Sequence, residues 1–212
     1  MKAREWREVL EEQRKAHGKA LFTVTELAHL ALVGRRALNV ELSRLRAQAI
    51  VVRYAHGLYG LPGAVSAEDL LPAIDSHAYM TGIYALHEYH LITQVPTAIT
   101  CFTDRRSPRA RIRSTPLGRF VFVCVRSEVY DPPADRPVAC PEQALCDFVY
   151  LCRRDGVAPA SQVTFQNMGG LRAAWARRLA KRYPSTVGVE VERLLSMKRS
   201  TSTPRVATRS GP

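Results

Sequence analysis

The chain has 212 residues, 46% of them hydrophobic, and a formal net charge of +12. That length and apolar content suit one ordinary domain with a smaller one beside it, each able to bury a core. No run of 18 apolar residues occurs, which excludes a helical membrane span, and the charged opening MKAREWREVLEEQRKAHGK lacks an apolar signal core, which predicts a cytoplasmic protein.

The charge is unevenly spread, at +5 over residues 1–64, −2 over 65–147 and +9 over 148–212. Positive charge at both ends draws a chain toward polyanions, of which nucleic acid is the commonest in a cytoplasm. The five cysteines, Cys101, Cys124, Cys140, Cys146 and Cys152, include no CxxC pair and read as reduced, buried thiols. His87 and His90 are three apart but lack a third ligand, so no metal site and no cofactor are predicted.

Taken in chain order, residues 4–16 predict a lead helix with Trp6, Val9 and Leu10 as its apolar contacts. Thr23 followed by Glu26 is a capping box that starts a helix at about Val24, with Leu27, Leu30 and Ala31 as its stripe. Val33-Gly34 is the turn. A second helix, Arg35 to Gln48, carries Leu38, Leu42 and Leu45 on one face and Arg35, Arg36, Asn39, Ser43 and Arg46 on the other. A β-rich run, Ile50 to Tyr54, then meets a turn at Gly57 and a return strand, Leu58 to Leu61. Helix, tight turn, basic helix and hairpin in this order describe a winged helix-turn-helix, which lays its second helix in the major groove. A winged domain that binds protein instead of DNA has the same pattern.

Further along, Gly63 to Asp69 reads as a linker and Leu70 to Ile74 as a short apolar run. Ser76 is expected to cap a helix from His77 to Tyr89, where Tyr79, Ile83, Leu86 and His90 have helical spacing. Val95 to Phe102 predicts a strand. The loop between Thr103 and Ser114 holds Arg105, Arg106, Arg109, Arg111 and Arg113, either to contact a polyanion or partner or simply to be solvated. Phe120 to Val125 is an unbroken apolar strand, and Asp131-Pro132-Pro133 breaks the chain. Pro141-Glu142 opens a helix from Gln143 to Cys152, buried through Leu145, Phe148, Val149 and Cys152. Two more helices are predicted, Met168 to Tyr183 and Thr186 to Met197, followed by a basic, disordered tail. The fold class is therefore α+β: a winged domain over residues 1–64, a mixed α/β domain with a small sheet and packed helices over 65–197, and the tail over 198–212.

No Gly-rich phosphate loop, GxSxG or HExxH occurs. A nuclease would draw on Asp104, Glu142 or Asp147 as metal ligands, yet no lysine lies beside the candidate strands, and Asp147 is expected to face solvent or pair with an arginine. No enzymatic activity is predicted.

Together these segments resemble the AbiEi family, antitoxins of type IV toxin–antitoxin systems. The winged part resembles the family in its Thr-led helix, in SRLRAQ (Ser43 to Gln48) and in GLYGLP (Gly57 to Pro62). SHAYMTGIYALHEYHLITQVPTAITCFT (Ser76 to Thr103), DRRSPRARIR (Asp104 to Arg113) and VACPEQALCDFVYL (Val138 to Leu151) resemble its helix-then-strand block, arginine-rich loop and proline-led helix. The likeness covers about residues 20–155. It implies a bacterial repressor that binds double-stranded DNA at repeats in its own promoter and counteracts a co-encoded nucleotidyltransferase-like toxin. An orphan regulator without a toxin partner fits the same motifs. The family's wing often has a basic residue where this chain has His56, whose imidazole would be mostly neutral. On this reading Arg35, Arg36, Asn39 and Ser43 face base edges, Val40 touches a thymine methyl, Arg44, Arg46 and Arg53 hold phosphates, and Tyr54 and His56 sit on the wing.

Overall fold

The computed structural model of the protein describes residues 2–105 and 111–197; Arg106, Arg109 and the tail 198–212 lie outside the described residues. The described residues form a mixed α+β fold with two small sheets. The chain divides into two compact units. One comprises residues 1–79, 97–125 and 132–138; the other comprises 80–96, 126–131 and 139 onward. Residues 65–79, 97–125 and 132–138 thus fall with the N-terminal residues.

The first unit opens with α1 (Ala3–His17), which buries Trp6 and Leu10. It stops at Gly18, whose φ of +63° is the left-handed conformation that glycine adopts without steric cost. A three-residue strand absent from the predicted elements, β1 (Leu21–Thr23), follows. Next come α2 (Val24–Ala31), α3 (Arg35–Ala47) and a hairpin of β2 (Val52–Ala55) and β3 (Leu58–Gly60). The strands form an antiparallel sheet in the order β1-β3-β2. Gly60 sits opposite the start of β1, where a Cβ would lie 2.5 Å from the Ala20 carbonyl oxygen. Trp6, Leu10, Phe22, Leu27, Leu38, Leu42, Leu45 and Ile50 share one buried cluster.

The Thr23–Glu26 capping box is present as predicted. The Glu26 N–H donates to Thr23 Oγ1 at 3.2 Å, and the Thr23 N–H donates to the Glu26 carboxylate at 2.8 Å. Thr23→Ala removes the acceptor and should lower stability by about 1 kcal/mol. An unchanged urea midpoint would show that water caps α2 equally well.

The rest of this unit, and α5 of the other unit within the same stretch of chain, depart from the predicted elements. Gly63 to Asp69 is not a linker throughout: Ser66 and Asp69 form a second capping box that starts α4 (Ala67–Ile74). The predicted helix from His77 to Tyr89 is instead a short strand, β4 (Tyr79–Met80), followed by α5 (Gly82–Glu88), whose N-cap is Thr81 and not Ser76. The predicted strand over 95–102 is β5 (Ile99–Thr103). An unpredicted strand, β6 (Ile112–Thr115), takes up the end of the arginine-rich stretch and turns into β7 (Gly118–Cys124). The sheet order is β4-β5-β7-β6, with β5 and β7 parallel and β6 antiparallel to β7. Arg136 pairs with Glu68 and ties residues 132–138 to α4.

The second unit is helical. Its centre is α6 (Pro141–Arg154), which packs against α5, α8 (Ala173–Ala180) and α9 (Ser185–Met197). The predicted stripe of Leu145, Phe148, Val149 and Cys152 is buried, but so are Glu142, Gln143, Ala144, Cys146 and Asp147. A helix covered on most of its circumference must bury polar residues, and each then needs a partner. The predicted helix 168–183 is broken into a 3₁₀ turn, Met168–Gly170, and α8; a short helix, α7 (Pro159–Gln162), precedes them.

Candidate nucleic-acid interface

The site is built on α3. Its buried side is Leu38, Leu42 and Leu45. Arg35, Arg36, Asn39, Val40, Ser43 and Arg46 are all exposed. At about 100° per residue these six span roughly 140° of arc, with Arg44 on the flank next to Val40. Its one carboxylate, Glu41, points elsewhere and accepts a hydrogen bond from the Trp6 indole at 2.7 Å. That bond ties α3 to α1 and keeps negative charge off the basic face. Arg35, Arg36, Arg44 and Arg46 form no ion pair with any described residue, so four guanidinium groups present open donors. Val40, 56% exposed, is an apolar island among them.

The hairpin supplies two further groups. Arg53 is exposed and donates from Nη2 to His56 Nδ1 at 2.8 Å and from Nε to the Ala55 carbonyl at 3.3 Å. A guanidinium only donates, so His56 Nδ1 is the acceptor of this bond, which leaves Nε2 as the ring's N–H donor at the hairpin. Tyr54 does not belong to this surface. It is 3% exposed, and its hydroxyl donates to the Leu61 carbonyl at 2.9 Å, closing the hairpin from inside. A tyrosine can be buried when its hydroxyl finds such a partner.

The arginine-rich segment is not one uniform loop. Arg105 and Arg111 are exposed. Arg113 lies in β6, donates to the Ile74 carbonyl at 3.2 Å and covers the Phe122 ring at 4.9 Å, so it serves the fold. Arg106 and Arg109 are outside the described residues.

The carboxylates that a nuclease would require are committed elsewhere. Asp104 pairs with His77 at 3.1 Å. Glu142, 1% exposed, accepts from the Arg172 backbone N–H at 2.9 Å and from its guanidinium Nε at 3.0 Å. Burial pushes the Glu142 carboxyl up, but the hydrogen bonds and charge of Arg172 outweigh it and hold the group below the ordinary carboxylate value. Asp147 does not face solvent. It is completely buried and accepts from Thr81 Oγ1 and the Tyr183 hydroxyl, each at 2.6 Å. Among the described residues no three His, Cys, Asp or Glu side chains gather as a metal site.

All five cysteines are free thiols. Cys101, Cys146 and Cys152 are buried, but Cys140 is half-buried and Cys124 exposed, against the expectation of five buried ones. Burial pushes the Cys152 thiol up to about 11 and raises Cys101 and Cys146 further, so none of these three offers a thiolate at neutral pH.

No spacing rule singles out Arg126, Arg153, Arg154 and Arg182, yet they line a single cavity in the helical unit. Only the paired Arg153-Arg154 at the end of α6 hints at it in the sequence. No protein-family model matches this chain, and a comparison with curated proteins finds no match.

Proposed function

We propose that the protein is a winged helix-turn-helix regulator that binds double-stranded DNA at its own promoter. On this reading α2 and α3 are the helix-turn-helix and the β2–β3 hairpin is the wing. The observation that carries it is the acid-free, unpaired face of α3, with Arg35, Arg36, Asn39, Val40, Ser43 and Arg46 side by side. Arg and Asn at neighbouring outward positions suit guanine and adenine edges, and Val40 suits a thymine methyl. On this reading Arg44, Arg46, Arg53 and the Nε2–H of His56 hold phosphates.

The antitoxin activity, and with it a cytoplasmic nucleotidyltransferase-like toxin as functional partner, is supported by the resemblance of residues 20–155 to AbiEi proteins. An orphan regulator is the second reading. A co-encoded nucleotidyltransferase-like reading frame whose toxicity is relieved by this chain favours the first; its absence favours the second.

The direct test is footprinting on the region upstream of the gene at moderate salt. A protected site is expected, bound roughly 10³-fold or more tighter than random duplex. No protection there, or equal affinity for random DNA, would remove the repressor reading.

A further inference from the structure

A cavity of about 660 Å³ lies within the helical unit, away from α3 in the chain and built from three separate segments. Arg126 comes from residues 126–131, Arg153 and Arg154 from the end of α6, and Arg182 from the approach to α9. Val129, Tyr183 and Val187 are buried beneath it and give an apolar floor. Among the lining residues one carboxylate, Glu128, stands against four guanidinium groups.

The four arginines do different jobs. Arg182 is spent on architecture: it donates to the Glu128 carbonyl at 3.3 Å and the Tyr130 carbonyl at 2.9 Å, and pairs with Asp131 at 2.7 Å. It fixes the segment that carries Arg126. Arg153 uses Nη2 for Glu190 at 2.9 Å, and Arg154 uses Nε for Asp155 at 3.1 Å, so each keeps further N–H donors. The Arg126 side chain makes no hydrogen bond or ion pair with any described residue. Thr186, in the first turn of the 13-residue α9, adds the positive end of a helix dipole to the rim. Cations gathered over an apolar floor raise the local potential until an anion enters.

We propose that this cavity binds a phosphate monoester of mononucleotide size. Guanidinium groups are matched to phosphate oxygens by their paired donors. The volume falls within the range of small-molecule sites, roughly 300–1,000 Å³. Tyr150, half-buried on the wall, gives a flat ring a surface to lie against. A duplex presents its phosphates on a convex surface, which an exposed helix reaches; a concavity of this size takes a small ester whole.

The test is calorimetric titration of the full chain with AMP, adenosine and inorganic phosphate at about 0.15 M salt, where surface attraction is screened. One equivalent of AMP binds, inorganic phosphate binds more weakly, and adenosine does not bind. Arg126→Ala, which removes no hydrogen bond or ion pair to the described residues, leaves the urea midpoint unchanged and weakens AMP about tenfold or more; Arg126→Lys recovers part of the loss. AMP binding no tighter than adenosine, or unchanged in Arg126→Ala, overturns the proposal. So does displacement of bound promoter duplex by AMP, which would assign the cavity to the DNA path. Duplex binding that fails while AMP binding survives would leave this site standing and remove the repressor reading alone.

Discussion

Replacing Asp147 with alanine should lower the unfolding free energy by about 3–4 kcal/mol, the largest single loss expected for a polar residue of the helical unit. The carboxylate is fully buried, and both hydroxyls that donate to it, Thr81 Oγ1 and Tyr183 Oη, are themselves in buried residues. Removing the acceptor orphans two donors at once, each costing about 1–3 kcal/mol, and leaves a void in the middle of α6. Both bonds, at 2.6 Å, are short enough for charge-assisted O–H···O⁻ contacts, so Asp147→Asn should lose less than alanine but more than nothing. The chain has two tryptophans. Trp6 lies in the first unit and Trp175 in the second, so urea unfolding of a Trp6→Phe background follows the second by fluorescence. A loss below about 1 kcal/mol would mean that water reaches the two hydroxyls and that Asp147 does not organise this core.

On the DNA side, Arg36→Ala and Asn39→Ala should each cost about 1–3 kcal/mol on the promoter site and much less on random duplex, relaxing base preference. Both side chains are exposed and neither has a described partner to lose, so stability should barely change. Arg53→Ala should behave differently. It removes a phosphate donor and frees His56 from its 2.8 Å contact, so binding should weaken by a similar factor on every sequence, with a shallower salt dependence. Equal losses on promoter and random DNA for Asn39→Ala would show that the helix is read as a backbone clamp rather than as a base reader.

How legible this was depended on length and on local chemistry. The stretch from Trp6 to Gly60 was readable nearly to the residue because it is punctuated: the Thr23–Glu26 box starts one helix, Val33-Gly34 separates two, and Gly57 turns the hairpin. Strand β1 was not, since three residues are too few to show alternation. The second capping box, Ser66–Asp69, is hidden in a stretch of small and polar residues whose composition says linker. Over 77–90 the spacing of Tyr79, Ile83, Leu86 and His90 is helical, but Thr81-Gly82 resets the chain, with Gly82 at a φ of +61°, and Tyr79 is left facing Phe102 in the sheet region. The outward face of α3 follows from Leu38, Leu42 and Leu45 alone. The burial of Tyr54 and Asp147 and the anchoring of Arg113 do not, because each is decided by a partner far along the chain or by a carbonyl that no side-chain pattern reveals.

The two units are woven, not strung. The chain passes between them five times, after residues 79, 96, 125, 131 and 138. Synthesis runs from the N-terminus, and folding during synthesis tends to follow it. All the buried residues of the cluster around Trp6 and Leu42 lie before residue 62, so that core is complete while most of the polypeptide is still to be made. The four-stranded sheet waits for β7, and α6 waits longer still, for α8 and α9 to cover it. The surface proposed to read DNA is therefore finished first, and the helical unit last. A single backbone cut between residues 80 and 138 leaves pieces of both units on both fragments, so neither unit leaves the ribosome, or a protease, as a separable block.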